Sequence, residues 1–203
     1  MRYLVSHPAL VGGLLLQHLS LTFVSLGIAL VIALPLGILA TRRPRAGTAI
    51  LAVLGAIYTI PSLALLALLV PLLGLGFTTA VTALVAYAQM ILVRNVVAGL
   101  RSVDPAQREA AIGLGMTDAQ TLFRIELPLA FPVILGGIRI ALVSLIAFAS
   151  IAAWINAGGL GTLLFEGIQQ DNPQKIIAGS IAAGGLAICA DLILRALEQA
   201  SRR

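Results

Sequence analysis

The stretch from His18 to Ala40, HLSLTFVSLGIALVIALPLGILA, decides the fold class of this chain. It contains no Asp, Glu, Lys or Arg, and it is long enough for a membrane-spanning helix, which needs about 20 predominantly apolar residues. The basic sequence Arg42-Arg43-Pro44-Arg45 follows almost at once and is typical of a stop-transfer signal, whereas a cleaved signal peptide has a shorter apolar core. We therefore interpret this stretch, residues 18–40, as a true membrane span.

Four other stretches are apolar enough to cross a bilayer. They cover residues 47–73, 79–100, 132–154 and 176–194. Pro61 interrupts the run 47–73, which is therefore either one kinked helix or a helix followed by a re-entrant piece. We expect an all-α, polytopic membrane protein of about five transmembrane helices that form a single transmembrane domain over residues 1–203.

The composition agrees with a lipid environment. Hydrophobic residues make up 60% of the chain and charged residues 10%, and the mean hydropathy is +1.05, whereas soluble domains are about 25% charged. These values exclude a soluble globular enzyme, a disordered tail and a secreted disulfide scaffold. The single cysteine, Cys189, lies in an apolar run and is interpreted as a buried, inert thiol.

The distribution of basic residues predicts the orientation, because cytoplasmic loops carry an excess of Lys and Arg. With the amino terminus outside, ten of the thirteen basic residues lie in the cytoplasm or at its membrane edge. These ten are Arg42, Arg43, Arg45, Arg94, Arg101, Arg108, Arg124, Arg195, Arg202 and Arg203. We expect the carboxyl terminus in the cytoplasm, and this bias explains the net charge of +5 without a nucleic-acid partner.

Residues 101–128 form the longest polar stretch, and local signals predict two short cytoplasmic helices in it. Asp104 is a good N-cap and Pro105 suits the first helical position, so the first helix should run to about Ile112. Thr117, with Gln120 three residues later, is typical of a capping box and predicts the start of a second helix.

The second helix should reach about Leu127, where Pro128 either ends it or begins the next span. The turn between the two helices, Leu114-Gly115-Met116, is apolar in a segment that otherwise faces water. Leu114 and Met116 therefore either fold back onto the helix bundle or form a small knob that docks into a groove on another protein.

The same segment resembles the EAA signature of ABC importer permeases. Glu109-Ala110-Ala111, three residues, Gly115, nine residues, Ile125, one residue and Leu127-Pro128 match every position of that signature. The resemblance implies a type I ABC importer permease fold with a cytoplasmic coupling helix that contacts an ATPase subunit. The residues it assigns to ATPase coupling are Glu109, Ala110, Ala111, Leu114, Gly115, Met116, Ile125, Leu127 and Pro128.

Further segments are similar to the glycine betaine/carnitine/choline branch of these permeases. They are 18–22, 35–37, 60–64, 94–100, 137–139 and 158–161, and the chain departs from the branch at Asn156, where we expect glycine. The resemblance implies uptake of a compatible solute or quaternary ammonium compound. A permease of the same architecture for another small solute, such as an amino acid, is the alternative.

The resemblance also implies the partners and the location. Five helices are too few to enclose a gated path, so we expect a second permease subunit, identical or homologous. ATPase subunits on the cytoplasmic side would hold ATP and Mg²⁺, and a soluble substrate-binding protein would dock outside. The expected location is the bacterial cytoplasmic (inner) membrane, and this chain itself is expected to bind no cofactor.

The residues give no sign of catalysis. The chain lacks a G-x-x-x-x-G-K-[ST] phosphate loop, and its two histidines, His7 and His18, form no metal-spaced cluster with Cys or carboxylates. No serine is paired with a histidine and an acid. We expect no catalytic residue and no metal site. A stand-alone channel or secondary carrier is the less favoured alternative, because most spans lack the ionisable residues that relay protons.

Aromatic side chains and an interrupted helix mark candidate positions on the solute pathway. A quaternary ammonium ion is attracted to aromatic faces, and a proline in mid-membrane frees a backbone carbonyl. The candidates are Tyr58, Thr59, Pro61, Ser62, Tyr87 and Trp154. Packing or interfacial anchoring is the alternative role for each aromatic residue.

The external loop, residues 155–173, is the candidate gate and binding-protein contact. Its turn residues are Asn156, Gly158, Gly159 and Gly161, and residues 162–169 are predicted to form a short amphipathic helix. This helix is either a lid or an ordinary interfacial helix.

Two charged residues inside spans are predicted to be structural. We expect Arg139 either to pair with Asp191 across helices or to extend to the interface. Asp191 also has Arg195 four residues later on its own helix as an alternative partner.

Overall fold

The structure, a computed structural model, describes residues 2–201, and all regular secondary structure in that range is helical. This confirms the expected all-α class. Arg202 and Arg203, which we placed in the cytoplasmic tail, lie outside the described residues. The helices are α1 (Arg2–Ser6), α2 (Pro8–Arg42), α3 (Pro44–Thr59), α4 (Ser62–Leu73), α5 (Phe77–Arg101), α6 (Pro105–Gly113), α7 (Asp118–Thr121), α8 (Leu127–Ala152), α9 (Gly161–Gln169) and α10 (Pro173–Ser201).

Four continuous helical segments in the described range are long and apolar enough to span a membrane, namely α2, α5, residues 118–155 and α10. A fifth candidate is the pair formed by α3 and α4, which are bent by 96° at the break between them. The break falls at Ile60-Pro61, and the N–H of Ile60 bonds to the carbonyl of Ile57 in a tightened last turn. The run 47–73 is therefore two sharply bent pieces and not a gently kinked helix.

The observed helix ends differ from the predicted ones because hydrogen bonding continues through residues that composition alone marks as boundaries. Helix α2 begins at Pro8, well before residue 18, and α10 continues to Ser201. Helix α7 does not end near Leu127. It passes through a π-helical turn, Leu122–Glu126, directly into α8, and this wider turn accommodates Pro128 inside one continuous helix.

Small residues allow the three central helices, α2, α5 and α8, to pack closely. A Cβ atom added to Gly37 of α2 would lie 2.5 Å from Val96 of α5. One added to Gly137 of α8 would lie 2.3 Å from Asn95. Such close packing of a neighbour's side chain against a glycine backbone is typical of helix pairs in membranes, where tight packing replaces the hydrophobic effect as the force between helices.

Helix α10 packs on α8 and α9 at the edge of the bundle, and most of its surface is exposed. Cys189 lies on this helix and is exposed, so the interpretation as a buried thiol is wrong. An apolar run predicts burial in lipid or protein without distinguishing the two. The ends of α2 and α5 that carry Arg42 and Arg101 lie at one end of the bundle, called the basic end here, and residues 156–172 lie at the opposite end.

Candidate functional site

The segment between α5 and α8 forms a capped helical hairpin at the basic end. The Asp104 carboxylate accepts a hydrogen bond from the Ala106 N–H at 2.9 Å, and Pro105 opens α6, as predicted. Helix α6 ends at Gly113, and Gly115 then adopts a φ of +80°, a conformation that favours glycine because it has no Cβ.

The second arm of this hairpin begins with the predicted capping box. The Thr117 N–H donates to the Gln120 side-chain oxygen at 2.9 Å, and the Gln120 N–H donates to the Thr117 hydroxyl at 3.3 Å. The Met116 N–H also donates to the Ala111 carbonyl at 3.1 Å. Hydrogen bonds on both sides therefore hold the turn 114–116 in one conformation.

The two apolar residues at the tip of the hairpin differ in exposure. Leu114 is 84% exposed, so it does not fold back onto the bundle, whereas Met116 is half-buried. An apolar groove of about 320 Å³ lies beside the tip. Its lining residues are Gln107, Ala110, Ala111, Leu114, Met116, Ile125 and Leu129.

Five of the nine predicted coupling residues thus line one groove, although they lie on both arms of the hairpin. Glu109, Gly115, Leu127 and Pro128 do not line it. Glu109 and Gly115 are exposed on the hairpin, and Leu127 and Pro128 begin α8. Leu129, in the first turn of α8, also lines the groove, although the signature does not include it. Its position in the groove depends on α8 continuing the hairpin as a helix.

Glu126 is a functional candidate that sequence reasoning missed. It is 6% exposed, and its carboxylate forms ion pairs with Arg42 at the end of α2 and with Arg108 of α6. Arg42 and Arg108 lie 84 and 18 positions away in sequence, so no local pattern predicts the cluster.

The structure brings Arg139 and Asp191 together, with a nitrogen–oxygen distance of 3.2 Å. Arg139 Nε also lies 3.3 Å from the Glu198 carboxylate, an acid that sequence reasoning did not consider. The two acids are seven positions apart, which is two turns of α10, so both face α8. Arg139 therefore contacts two carboxylates from one neighbouring helix, and no ion pair between Asp191 and Arg195 is present among the described residues.

Aromatic residues gather at the break between α3 and α4. The Tyr87 hydroxyl donates to the Ile60 carbonyl, which the break leaves without a helical donor. The Tyr87 ring meets Tyr58 edge-on at 5.9 Å between centroids and stacks on Phe148 at 5.0 Å. Phe148 is a member of this aromatic cluster that the sequence did not single out.

Of the other predicted pathway residues, Thr59, Pro61 and Ser62 lie at this break, whereas Trp154 lies in the turn that follows α8. Ser62 lines a small cleft with Tyr87, and Pro61 is exposed at the break. The Thr59 hydroxyl donates to the Ala56 carbonyl at 2.7 Å, within its own helix. Trp154 is 55% exposed, lies in the 3₁₀ turn after α8 and does not join the aromatic cluster.

The predicted gate loop is fastened to α2 at the end opposite the basic end. The Gln17 side-chain oxygen accepts from the Gly159 N–H at 3.1 Å, and His18 Nδ1 accepts from the Leu160 N–H at 3.3 Å. His18 Nε2 lies 3.1 Å from the Ile146 carbonyl, which can only accept, so the neutral ring carries its proton on Nε2.

Backbone geometry explains the residue types in this loop. Gly158 and Gly159 have φ values of +78° and +84°, and Asn156 has a φ of +60°, the left-handed region that asparagine tolerates better than most residues. The departure at Asn156 therefore keeps the turn that glycine would make. A Cβ on Gly161 would lie 1.9 Å from the Ser150 carbonyl oxygen, so the start of α9 packs directly on the α8 backbone.

Comparison with known proteins gives consistent matches over nearly the whole chain. The sequence profile of the family described as binding-protein-dependent transport system inner membrane component matches residues 33–203. The osmoprotectant import permease protein OsmW of Salmonella typhimurium is 41% identical, over 97% of this chain and 94% of that protein. The choline transport system permease protein OpuBB of Bacillus subtilis is 36% identical, over 98% and 94%.

A third relative and the solved structures agree with these matches. The carnitine transport permease protein OpuCB of Listeria monocytogenes is 41% identical, over 90% of this chain and 84% of that protein. A chain of the inward-facing MetNI methionine ABC transporter superimposes with a TM-score of 0.89 at 23% identity, covering 97% of this chain and 99% of that chain. This likeness confirms the importer permease fold.

Proposed function

Because this chain belongs to the family of inner-membrane components of binding-protein-dependent transport systems, we propose that it is the permease subunit of an ATP-driven importer for a small quaternary ammonium osmoprotectant, such as glycine betaine, choline or carnitine. Relatives at 36–41% identity whose names include osmoprotectants, choline and carnitine support this solute class. The methionine transporter, at 23% identity, bears on the fold alone, so an amino-acid solute is not favoured.

The amino terminus lies outside the bacterial cytoplasmic membrane and the carboxyl terminus lies inside. The support for this orientation is the basic end, where Arg42, Arg43, Arg45, Arg101 and Arg108 gather on or near the hairpin. In this orientation the hairpin lies in the cytoplasm, where nucleotide is available, and the loop 156–160 lies outside.

The exposed Leu114 carries the proposal that the hairpin docks on an ATPase subunit. An apolar side chain that is 84% exposed, on a turn held by hydrogen bonds on both sides, is placed to enter a groove on a partner without further ordering. Glu109, Ala110, Ala111, Gly115 and Met116 surround it on the hairpin. Ile125, Leu127 and Pro128 connect this surface to α8, so motion of the hairpin moves that span.

The complete importer contains two permease subunits, identical or homologous, two ATPase subunits that hold ATP and Mg²⁺, and an external solute-binding protein. A single chain with up to five candidate spans is too small to enclose a gated path by itself, which supports a second permease subunit. The external surface is the loop with Asn156, Gly158, Gly159 and Gly161 together with α9. This chain binds no metal or cofactor in the proposed mechanism.

The pathway passes the break between α3 and α4. Tyr58, Thr59, Pro61 and Ser62 lie at this break, and Tyr58 presents a ring that is 40% exposed beside Tyr87. An aromatic face attracts a quaternary ammonium ion without a hydrogen bond, which gives weak and reversible contact during passage. Trp154 is exposed in the turn after α8, at the outer end of the bundle. There it contacts the binding protein, or the solute before the solute reaches the break.

The docking proposal is tested with Leu114→Asp in the full importer. Burying a leucine side chain contributes about 1.5–3 kcal/mol, so the variant should bind its ATPase about tenfold to a hundredfold more weakly. The matched control is Leu75→Asp, which changes a 62% exposed leucine in the turn between α4 and α5. Affinity purification through a tag on the permease measures the ATPase that is retained.

The control should retain the ATPase and Leu114→Asp should lose it. Equal retention by the two variants would contradict the docking proposal. Transport by the purified chain alone, without an ATPase, would contradict the importer and favour a channel or carrier. The solute class is tested separately by titrating the purified partner binding protein with glycine betaine, choline, carnitine and methionine, and tight binding of methionine alone would overturn it.

A further inference from the structure

Glu126 is the most buried acidic residue in the described part of the chain, and its side chain is 8% exposed. Each of its carboxylate oxygens contacts a different arginine. Oε2 pairs with Arg42, in the last turn of α2, and Oε1 lies 3.3 Å from Nε of Arg108, on α6. One carboxylate therefore joins the first span, the hairpin and the start of α8.

The two arms of this cluster differ in exposure and in the length of the helix that carries them. Arg42 belongs to a long helix that packs against α5 and α8, and its side chain is 28% exposed. Arg108 belongs to the short helix α6, and its side chain is 48% exposed. The Arg108 arm can therefore open to solvent when α6 moves, while Arg42 continues to compensate the buried charge. An uncompensated buried carboxylate would be strongly unfavourable, so the Arg42 arm makes the opening permissible.

The local helix geometry places Glu126 at the junction between the hairpin and α8. It is the last residue of the π-helical turn that joins α7 to α8. Single π-helical turns inside α-helices occur frequently at functional sites, where the extra residue changes which side chains face a neighbour. A displacement of α6 would pull on the Arg108 arm, and Glu126 is placed to pass that force both to α8, through the backbone, and to α2, through Arg42.

We propose that Glu126 is a positioning residue that transmits movement of the hairpin to α2 and α8 through its two ion pairs. This inference rests on the proposed function and adds the route by which ATPase movement reaches two spans together. A purely structural ion pair would stabilise the fold equally in every state and would leave the efficiency of coupling unchanged.

The test removes the more exposed Arg108 arm and leaves Arg42 to compensate the buried charge. The complete importer, with ATPase and binding protein, is reconstituted in proteoliposomes with Arg108→Gln, and the ATP hydrolysed per solute imported is measured. A cavity of about 280 Å³ at the basic end is lined by Arg42, Arg108 and Glu126, and also by Arg101. The matched control is Arg101→Gln, because Arg101 makes no ion pair among the described residues. Arg108→Lys, which keeps the positive charge, provides the rescue.

We expect Arg108→Gln to retain its ATPase subunits and to consume about twofold to fivefold more ATP per solute, the range that a half-exposed ion pair supports. Arg101→Gln should match the wild type, and Arg108→Lys should recover most of the coupling. A wild-type ratio in Arg108→Gln would overturn the inference while leaving the proposed function intact. Failure of the wild-type importer to transport would instead count against the proposed function.

Glu126→Gln provides a second measurement. In the background of Glu126→Gln, adding Arg108→Gln should change the ratio little further, because the first substitution has already removed the negative charge that Arg108 pairs with. Additive effects of the two substitutions would show that Arg108 acts through another partner, which also overturns the inference.

Discussion

His18→Ala tests how the gate loop is held to the first span. His18 is fully buried, and its ring is the acceptor for the Leu160 N–H and a donor to the Ile146 carbonyl. The substitution leaves a buried N–H without a partner, which costs about 1–3 kcal/mol. It also opens a cavity the size of the imidazole ring, which costs about 2 kcal/mol more.

The expected total loss in the free energy of unfolding is about 3–5 kcal/mol. For a chain of this length each kcal/mol corresponds to about 2–4 °C, so the melting temperature of the purified chain should fall by about 10 °C. The matched control is Gln17→Ala, which removes the neighbouring contact to Gly159 from an exposed side chain and should cost about 1 kcal/mol or less.

Amide hydrogen exchange distinguishes a local effect from general destabilisation. In His18→Ala, exchange should accelerate first at the Leu160 N–H, which loses its acceptor, and next at the Gly159 N–H, which then relies on Gln17 alone to fasten the loop to α2. Equal melting temperatures for His18→Ala and Gln17→Ala, or uniform acceleration along the chain, would refute the reasoning that His18 fastens this loop.

Two further predictions concern packing and buried charge. Gly161→Ala should abolish assembly of the importer, because the new Cβ would lie 1.9 Å from the Ser150 carbonyl oxygen, which belongs to the α8 backbone and cannot move away. The control is Gly184→Ala, whose new Cβ would have no atom within 4 Å and which should assemble normally. Size-exclusion chromatography of the two variants measures assembly. Asp191→Asn and Glu198→Gln should each lower the melting temperature slightly. The double variant should lower it by more than the sum of the two shifts, because each acid compensates the charge of Arg139 when the other is lost. Strictly additive shifts would exclude this shared role.

The hairpin was predictable because its signals are local. The N-cap at Asp104, the capping box of Thr117 and Gln120, and the positive φ at Gly115 all depend on residues within a few positions of one another. A capped turn forms in much the same way wherever the bundle places it. The exposure of Leu114 was left open by the sequence, because the pattern of apolar residues does not say which neighbour, if any, covers a turn.

Helix boundaries were less predictable for a physical reason. Hydropathy marks where lipid-facing composition ends, whereas a helix ends where its backbone hydrogen bonds end. Pro128 and Pro132 suggested a boundary, yet the π-helical turn before Pro128 allows one continuous helix from residue 118 into α8. The sharp bend at Pro61 needed the structure in the same way, because a proline permits both a kink and a break.

By itself the sequence determined that the chain is helical, where its apolar stretches lie, how the hairpin is capped and which family signature it carries. Only the tertiary structure decided that Glu126 meets Arg42, that His18 accepts from Leu160 and that Arg139 faces two acids. Capping and apolar periodicity act over a few neighbouring residues. The other contacts join positions 52 to 142 residues apart, so they depend on how far each helix slides and rotates against its neighbour.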